Sequence, residues 1–241
     1  MLIRWRLGTW QFSLEHQKPS LKGLLTRYQQ LASGWDGSLK RLGYLKAYDR
    51  LAVQLAQRLK AGELGRPMRM LDCGTGTGAL PRSLLGQQAL VENMEQVHLV
   101  DFSTKMLQQA RDKISPLCPV QVFQQDLHHL NLPQKYHLIT VAHALEHLEN
   151  PSDFLARVYE QLLPGGHFLV VYSRKNVASA WLQVPWYLTR WHAHNLQAQV
   201  ERCGFRQVAH LPLSGLFPRL FSQAQLFIKP IPSPSKPLQD R

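Results

Sequence analysis

Cysteine is scarce in this 241-residue chain, and acidic residues are nearly absent from both of its ends. The three cysteines, Cys73, Cys118 and Cys203, are odd in number and far apart. That spacing argues against a disulfide framework or a four-ligand zinc site, and it fits a reducing cytoplasm. No apolar run reaches the roughly 18 residues that a membrane-spanning helix needs. The opening stretch MLIRWRLGTWQFSLEHQKP has no unbroken apolar core and no small-residue cleavage site, so no secretory signal is read there. No internal repeat is found.

What is present is charge, unevenly spread. Residues 1–69 hold 13 Lys/Arg against 4 Asp/Glu, a balance of +9. Residues 70–172 hold 6 against 10, a balance of −4, and residues 173–241 hold 9 against 2, a balance of +7. All six tryptophans lie in the two basic flanks. Basic, aromatic flanks suit an anionic lipid surface, a nucleic acid or an acidic substrate.

The flanks and the centre also differ in texture. Ile3, Trp5 and Leu7 alternate like a short strand. Residues 21–33 and 38–60 read as helices, the second with Leu42, Leu45, Leu51, Leu55 and Leu59 on one face. From Met68 onward strands and helices alternate: MRMLDC, QVHLVD, VQVFQQD, YHLITVAHAL and HFLVVYS read as strands. STKMLQQARDKI, which Ser103 can cap, and NPSDFLARVYEQLL read as helices between them. AHNLQAQVERCGF is a further helix. RQVAHLPL and FSQAQLFIKP are closing strands joined through SGLFPR. The tail KPIPSPSKPLQDR is Pro/Ser-rich and reads as disordered. Strict β/α alternation predicts a parallel sheet with helices on both faces.

The stretch MLDCGTGTGAL, residues 70–80, carries the chemistry. A glycine-rich turn between a strand and a helix lets a ligand reach backbone N–H groups without meeting a Cβ. Dinucleotide sites space their glycines as G-x-G-x-x-G, to bring a pyrophosphate to the helix terminus. Here the spacing is G-x-G-x-G, and Asp72 stands two residues before the first glycine. A carboxylate there would repel a pyrophosphate. It would attract an ammonium, through a charge-assisted hydrogen bond worth roughly 1.5–3 kcal/mol. The ligand is therefore expected to present a cation.

LDCGTGTGAL resembles the first motif, [DE]-x-G-x-G-x-G, of class I S-adenosylmethionine-dependent methyltransferases. LVDFSTKMLQQAR, QQDLHHLNLP, HLITVAHALEHLENPSDFL and LLPGGHFLVV resemble that family's later segments, in order, so the resemblance covers about residues 68–229. It implies a Rossmann-like α/β fold: a seven-stranded sheet in the order 3-2-1-4-5-7-6, last strand antiparallel, with helices on both faces. It divides the chain into a basic, aromatic segment and helical cover (1–67), a core (68–230) with a substrate-lid insertion (174–195), and a tail (231–241).

By the same resemblance the cofactor is S-adenosyl-L-methionine. Asp72, Gly74, Thr75, Gly76 and Gly78 would hold its methionine end. Asp101 would take the ribose hydroxyls, Phe102 and Met106 would pack near the adenine, and Asp126 with Leu127 would meet the exocyclic amine. His143, Glu146 and His147 are the catalytic candidates, with His143 also at the cofactor. Similar quinone O-methyltransferases carry E-x-x-E-H here and can bind a divalent cation; His143 replaces the first Glu, and no metal is assigned. The Asn/Asp/Ser-Pro-Pro-aromatic run of base-methylating enzymes is missing, so nucleic acid is disfavoured as a target. The expected acceptor is a small, apolar or lipid-like molecule methylated on O or N, with peripheral contact to an anionic membrane. The competing expectations are a noncatalytic S-adenosylmethionine-binding or assembly protein, and a methyltransferase of a protein or nucleic-acid target. Arg174, Lys175 and Arg190 are expected at the rim of the acceptor pocket, under a cover of Trp181, Trp186 and Tyr187.

Overall fold

The structure, a computed structural model, describes residues 2–7, 10–15, 23, 26, 29–30, 32–59, 67–175 and 191–232, the first two stretches as backbone only. Two strands, β1 (Leu2–Leu7) and β2 (Trp10–Glu15), pair as an antiparallel ribbon. The alternation at Ile3, Trp5 and Leu7 predicts the first; the second is an addition of the structure. The described part of the 21–33 stretch is helical at Gly23, Thr26, Gln29 and Gln30 and a 3-10 turn at Ala32–Gly34.

The helix expected over 38–60 is two helices, α1 (Trp35–Arg41) and α2 (Tyr44–Arg58). The break falls at Gly43, whose φ of +80° is left-handed backbone that glycine adopts without strain. Leucine periodicity continues across the break, which is why the sequence reads as one helix. Tyr44, Ala47, Tyr48, Leu51, Ala52 and Leu55 form the buried stripe of α2.

The core follows the β/α alternation. Its elements are β3 (Met68–Cys73), α3 (Ala79–Leu85), α4 (Gln88–Val91), β4 (Met94–Asp101), α5 (Thr104–Ile114), β5 (Val120–Gln124), β6 (Tyr136–Ala142), α6 (Pro151–Gln161) and β7 (Leu162–Ser173). Then come α7 (Ala193–Arg202), β8 (Arg206–Leu211), α8 (Leu216–Phe221) and β9 (Ser222–Ile228). Ser103 caps α5 as expected, its hydroxyl accepting from Met106 N. Helix α6 stops at Gln161, two residues early, because the chain extends at Leu162 and the P-G-G turn lies inside β7. There Gly165 N donates to Lys229 O at 2.8 Å, and Lys229 N to Gly166 O at 2.9 Å. SGLFPR is not a plain connection: it carries most of α8.

The seven strands run in the order β5-β4-β3-β6-β7-β9-β8, with β9 antiparallel to both neighbours. Counting from β3, this is 3-2-1-4-5-7-6. Side chains alternate across the sheet as a two-sided core requires. Leu138, Leu169 and Val171 join α2, α3 and α5 in one buried cluster. Ile139, Val141, Phe168 and Val170 join α6 and α7 in the other. Each fully buried Leu or Phe contributes about 1.5–3 kcal/mol, so both helix layers are firmly seated.

Trp191, one of the six flank tryptophans, is buried in the second cluster. Trp181, Trp186, Tyr187 and Arg190 of the expected cover, and the tail beyond Pro232, lie outside the described residues. Among the described residues no helix is long and apolar enough to cross a membrane.

Candidate functional site

A cavity of about 300 Å³ opens over the C-terminal ends of β3, β4 and β6. This is where parallel sheets bind ligands, since strand ends and helix starts leave backbone donors there. It has two chemically different ends.

The first end is built by three carboxylates and the glycine loop. Asp72, the last residue but one of β3, is buried, with Thr140 of the neighbouring β6 donating its hydroxyl to it. Burial raises its carboxyl to about 6, because little offsets the lost hydration. A cation seated beside it would restore that loss. Asp101 closes β4; its Oδ2 accepts from Gly76 N and its Oδ1 from Ser103 N, each at 2.9 Å. Burial raises it too, and the two N–H donors pull the other way. Asp101 thus shapes the glycine loop as well as lining the cavity. Gly74 and Gly78 have φ of +65° and +79°. A Cβ on Gly74 would collide with that of Ala144, and one on Gly78 would sit 3.0 Å from Ala110 Cα. At these two positions only bare backbone fits, whereas a Cβ on Gly76 would meet open space.

Thr75, Phe102, Met106, Asp126 and Leu127 also line this end. Asp126 starts the 3-10 turn Leu127–His129, and one oxygen is already committed: Oδ1 accepts from His128 N at 3.0 Å and faces His128 Nδ1 at 2.8 Å. Burial alone would raise this carboxyl, but the His128 contacts and the two histidine charges outweigh it and hold it below the ordinary range.

The second end is aromatic and aliphatic. Leu39 and Leu42 from around α1, Tyr44 and Tyr48 from α2, Phe217 and Phe221 from α8 and Leu148 form its walls. Among the described residues, the ionisable side chains at this end besides the two tyrosines are His143 and His147. Burial raises the Tyr44 phenol to about 12 and Tyr48 well above its ordinary value, so both stay neutral donors.

His143 stands where the two ends meet. Its φ of +55° makes it the one non-glycine residue among those described with left-handed backbone. Such strain persists only where the surroundings impose it. Its Nδ1 lies 3.1 Å from Glu146 Oε1, and its Nε2 lies 3.4 Å from Ser222 Oγ. Ser222 in turn is 2.6 Å from the Tyr44 hydroxyl. Glu146 is fully buried and also accepts from Ser173 N at 2.6 Å. Burial pushes its carboxyl up, yet His143 and His147 more than compensate and hold it below its ordinary value.

The expected site residues therefore fall into one place with two exceptions, Gly78 and Glu146, which do not line the cavity. Glu146 sits behind His143 and Ser173, both of which line the cavity, and reaches it through them. Tyr44 and Ser222 complete the contact chain. Tyr44 is visible in the sequence only as one of many flank aromatics, and Ser222 carries no sequence signal. Arg174 and Lys175 do not line this cavity.

Residues 71–168 match the sequence model of a family described as a methyltransferase domain. A demethylmenaquinone methyltransferase of Chlamydia trachomatis serovar L2 is 32% identical over 157 residues, 63% of this chain and 61% of that protein. A ubiquinone biosynthesis O-methyltransferase of Photorhabdus laumondii is 26% identical over 161 residues, 66% of this chain and 63% of its own length. The chain thus spans about three fifths of the length of these relatives. Among solved structures, magnesium protoporphyrin IX methyltransferase from Synechocystis, with bound S-adenosylhomocysteine, superposes with a TM-score of 0.63 at 17% identity, covering 85% of this chain and 98% of that one. The fold is that of the class I S-adenosylmethionine-dependent methyltransferases, and residues 71–168 match a methyltransferase domain. The cofactor of that class is S-adenosylmethionine, and the donor set fits it: a buried carboxylate that a cation would compensate, a second at the end of β4, and a glycine loop with no room for a Cβ at Gly74 or Gly78.

Proposed function

We propose that this chain is an S-adenosylmethionine-dependent methyltransferase that methylates a hydroxyl of a small, apolar, lipid-like aromatic acceptor. The observation that supports this most is the cavity itself, with three carboxylates at one end, an aromatic wall at the other and His143 between them. The relatives named above, one a demethylmenaquinone methyltransferase and one from ubiquinone biosynthesis, favour the same acceptor class.

The cofactor supplies a methyl group already activated on a sulfonium. The protein's work is then alignment and one proton. Asp72 holds the ammonium, Asp101 accepts from the ribose hydroxyls, and Asp126 with Leu127 meets the adenine edge. Tyr44, Tyr48 and the Phe217–Phe221 pair, whose rings lie 4.2 Å apart, seat the acceptor and exclude water. His143 takes the hydroxyl proton, with Glu146 fixing the ring and stabilising its protonated form. His147, on the same wall, orients the acceptor. We assign the work to the cytoplasm, at the surface of an anionic membrane, on the basis of the three unpaired cysteines and the basic flanks.

Incubation with methyl-labelled cofactor and a set of hydroxylated quinols and hydrophilic catechols tests the reading. Label should enter the apolar quinols, and His143→Ala should abolish it while leaving cofactor binding intact. Cofactor binding with no transfer to any acceptor would favour a noncatalytic binding protein.

A further inference from the structure

The acceptor end of the cavity opens at a patch whose described residues are apolar or cationic, with none acidic. Helix α8 has two faces. Phe217 and Phe221 point into the cavity, while Leu216 is 81% exposed and Leu220 42% exposed on the other side. The α1–α2 turn lies against it: a Cβ on Gly43 would sit 3.9 Å from Pro218 Cδ, and Leu42 there is 41% exposed. Lys40, Arg41 and Lys46 flank the turn, and Arg219 lies on α8, all exposed. Arg174 joins them, its Nη1 donating to Arg219 O at 3.4 Å. No acidic residue occurs between Gly37 and Tyr48, or between Arg202 and Gln239.

We propose that this patch is a docking surface for an anionic lipid bilayer, through which the acceptor passes directly from membrane to cavity. A soluble protein seldom leaves a leucine as open as Leu216 beside two more without a partner for them. Leucines ringed by lysine and arginine match the boundary between acyl chains and acidic headgroups. The patch is also continuous with the cavity wall, because Leu42 and α8 belong to both. An apolar acceptor entering here never crosses water.

The inference rests on the apolar acceptor proposed above, and its test is separate from activity. Full-length protein is floated with vesicles of phosphatidylcholine and phosphatidylglycerol in equal parts, across a salt series. Binding should be strong at low salt and weaken steeply as the Debye length shrinks. Leu216→Ser should lower vesicle affinity about tenfold, the loss of one buried leucine. Arg219→Gln should lower it about fivefold. Leu117→Ser, an exposed leucine in the loop before β5 at the opposite end of the sheet, should leave it unchanged. Melting and cofactor titration of each variant should match the parent, since neither Leu216 nor Arg219 lines the cavity. Absent binding at low salt, equal binding to pure phosphatidylcholine, or equal effects of the two leucine variants would overturn the proposal. So would a dimer that Leu216→Ser converts to monomer, which would assign the face to a second copy of the chain. Loss of cofactor binding by the parent protein would instead count against the methyltransferase reading.

Discussion

His143 and Glu146 form a pair in which only one member sees the cavity. The imidazole lines it; the carboxylate, fully buried one turn later, faces its Nδ1 at 3.1 Å and accepts from Ser173 N. Glu146 is therefore a positioning residue, and its effects should be separable from binding. Glu146→Gln keeps the shape and removes the charge. Turnover should fall roughly tenfold to a hundredfold, the lower range for a misplaced proton acceptor, with cofactor affinity unchanged. Steady-state kinetics beside calorimetry checks this.

The same carboxylate should appear in acid stability. Its folded value lies below its ordinary 4.5, so it stabilises the fold above that pH, and the contribution disappears as pH falls through the folded value. Glu146→Gln should melt lower than the parent near neutrality and converge with it in acid. A constant gap across that range would contradict the assignment.

Asp72 has the opposite sign. Its carboxyl is raised from 3.8 to about 6, so its contribution to the stability of the ligand-free protein is greatest below about 3.8 and is lost as pH rises through 6. A shift of about two units corresponds to about 3 kcal/mol. A cofactor ammonium needs the ionised form, so cofactor affinity should rise as pH passes 6, then fall above about 8 as a free amino group deprotonates. Asp72→Asn should remove the lower limb of that profile.

A contact between cover and loop makes a kinetic prediction. On α1, Asp36 pairs with Lys113 of α5, and Thr77 of the glycine loop donates its hydroxyl to Asp36 at 2.5 Å. Lys113 also donates to Thr77 O at 2.8 Å. The pair is partly exposed, so screening limits it to about 0.2–1 kcal/mol. Asp36→Asn should speed cofactor release at most about fivefold, measured by stopped-flow displacement, with a smaller effect at high salt.

Most of this architecture is legible in the sequence because the sheet is buried on both faces. Runs such as VHLV and LITVA, alternating with helical stretches, leave few readings other than parallel strands, and Asp72, Asp101 and Asp126 fall near strand ends by counting. What stays hidden is tertiary. Gly43 breaks a helix whose leucines continue in phase, and Pro218, which looks like a stop signal, sits inside α8. Glu146 and His143 are three residues apart, but only the left-handed backbone at His143 decides which one faces the cavity. Ser222 meets Tyr44 across 178 positions of sequence, a separation no local pattern encodes.

The central claim is that the cleft at the ends of β3 and β4 holds S-adenosylmethionine, with Asp101 on its ribose. Calorimetric titration of the parent protein and of Asp101→Ala, with S-adenosylhomocysteine and with NAD, tests it most directly. The parent should bind S-adenosylhomocysteine and not NAD. Asp101→Ala should lose about 3 kcal/mol, near a hundredfold, for two hydrogen bonds to a charged acceptor. Unchanged affinity in the variant, or tighter binding of NAD by the parent, would contradict the account.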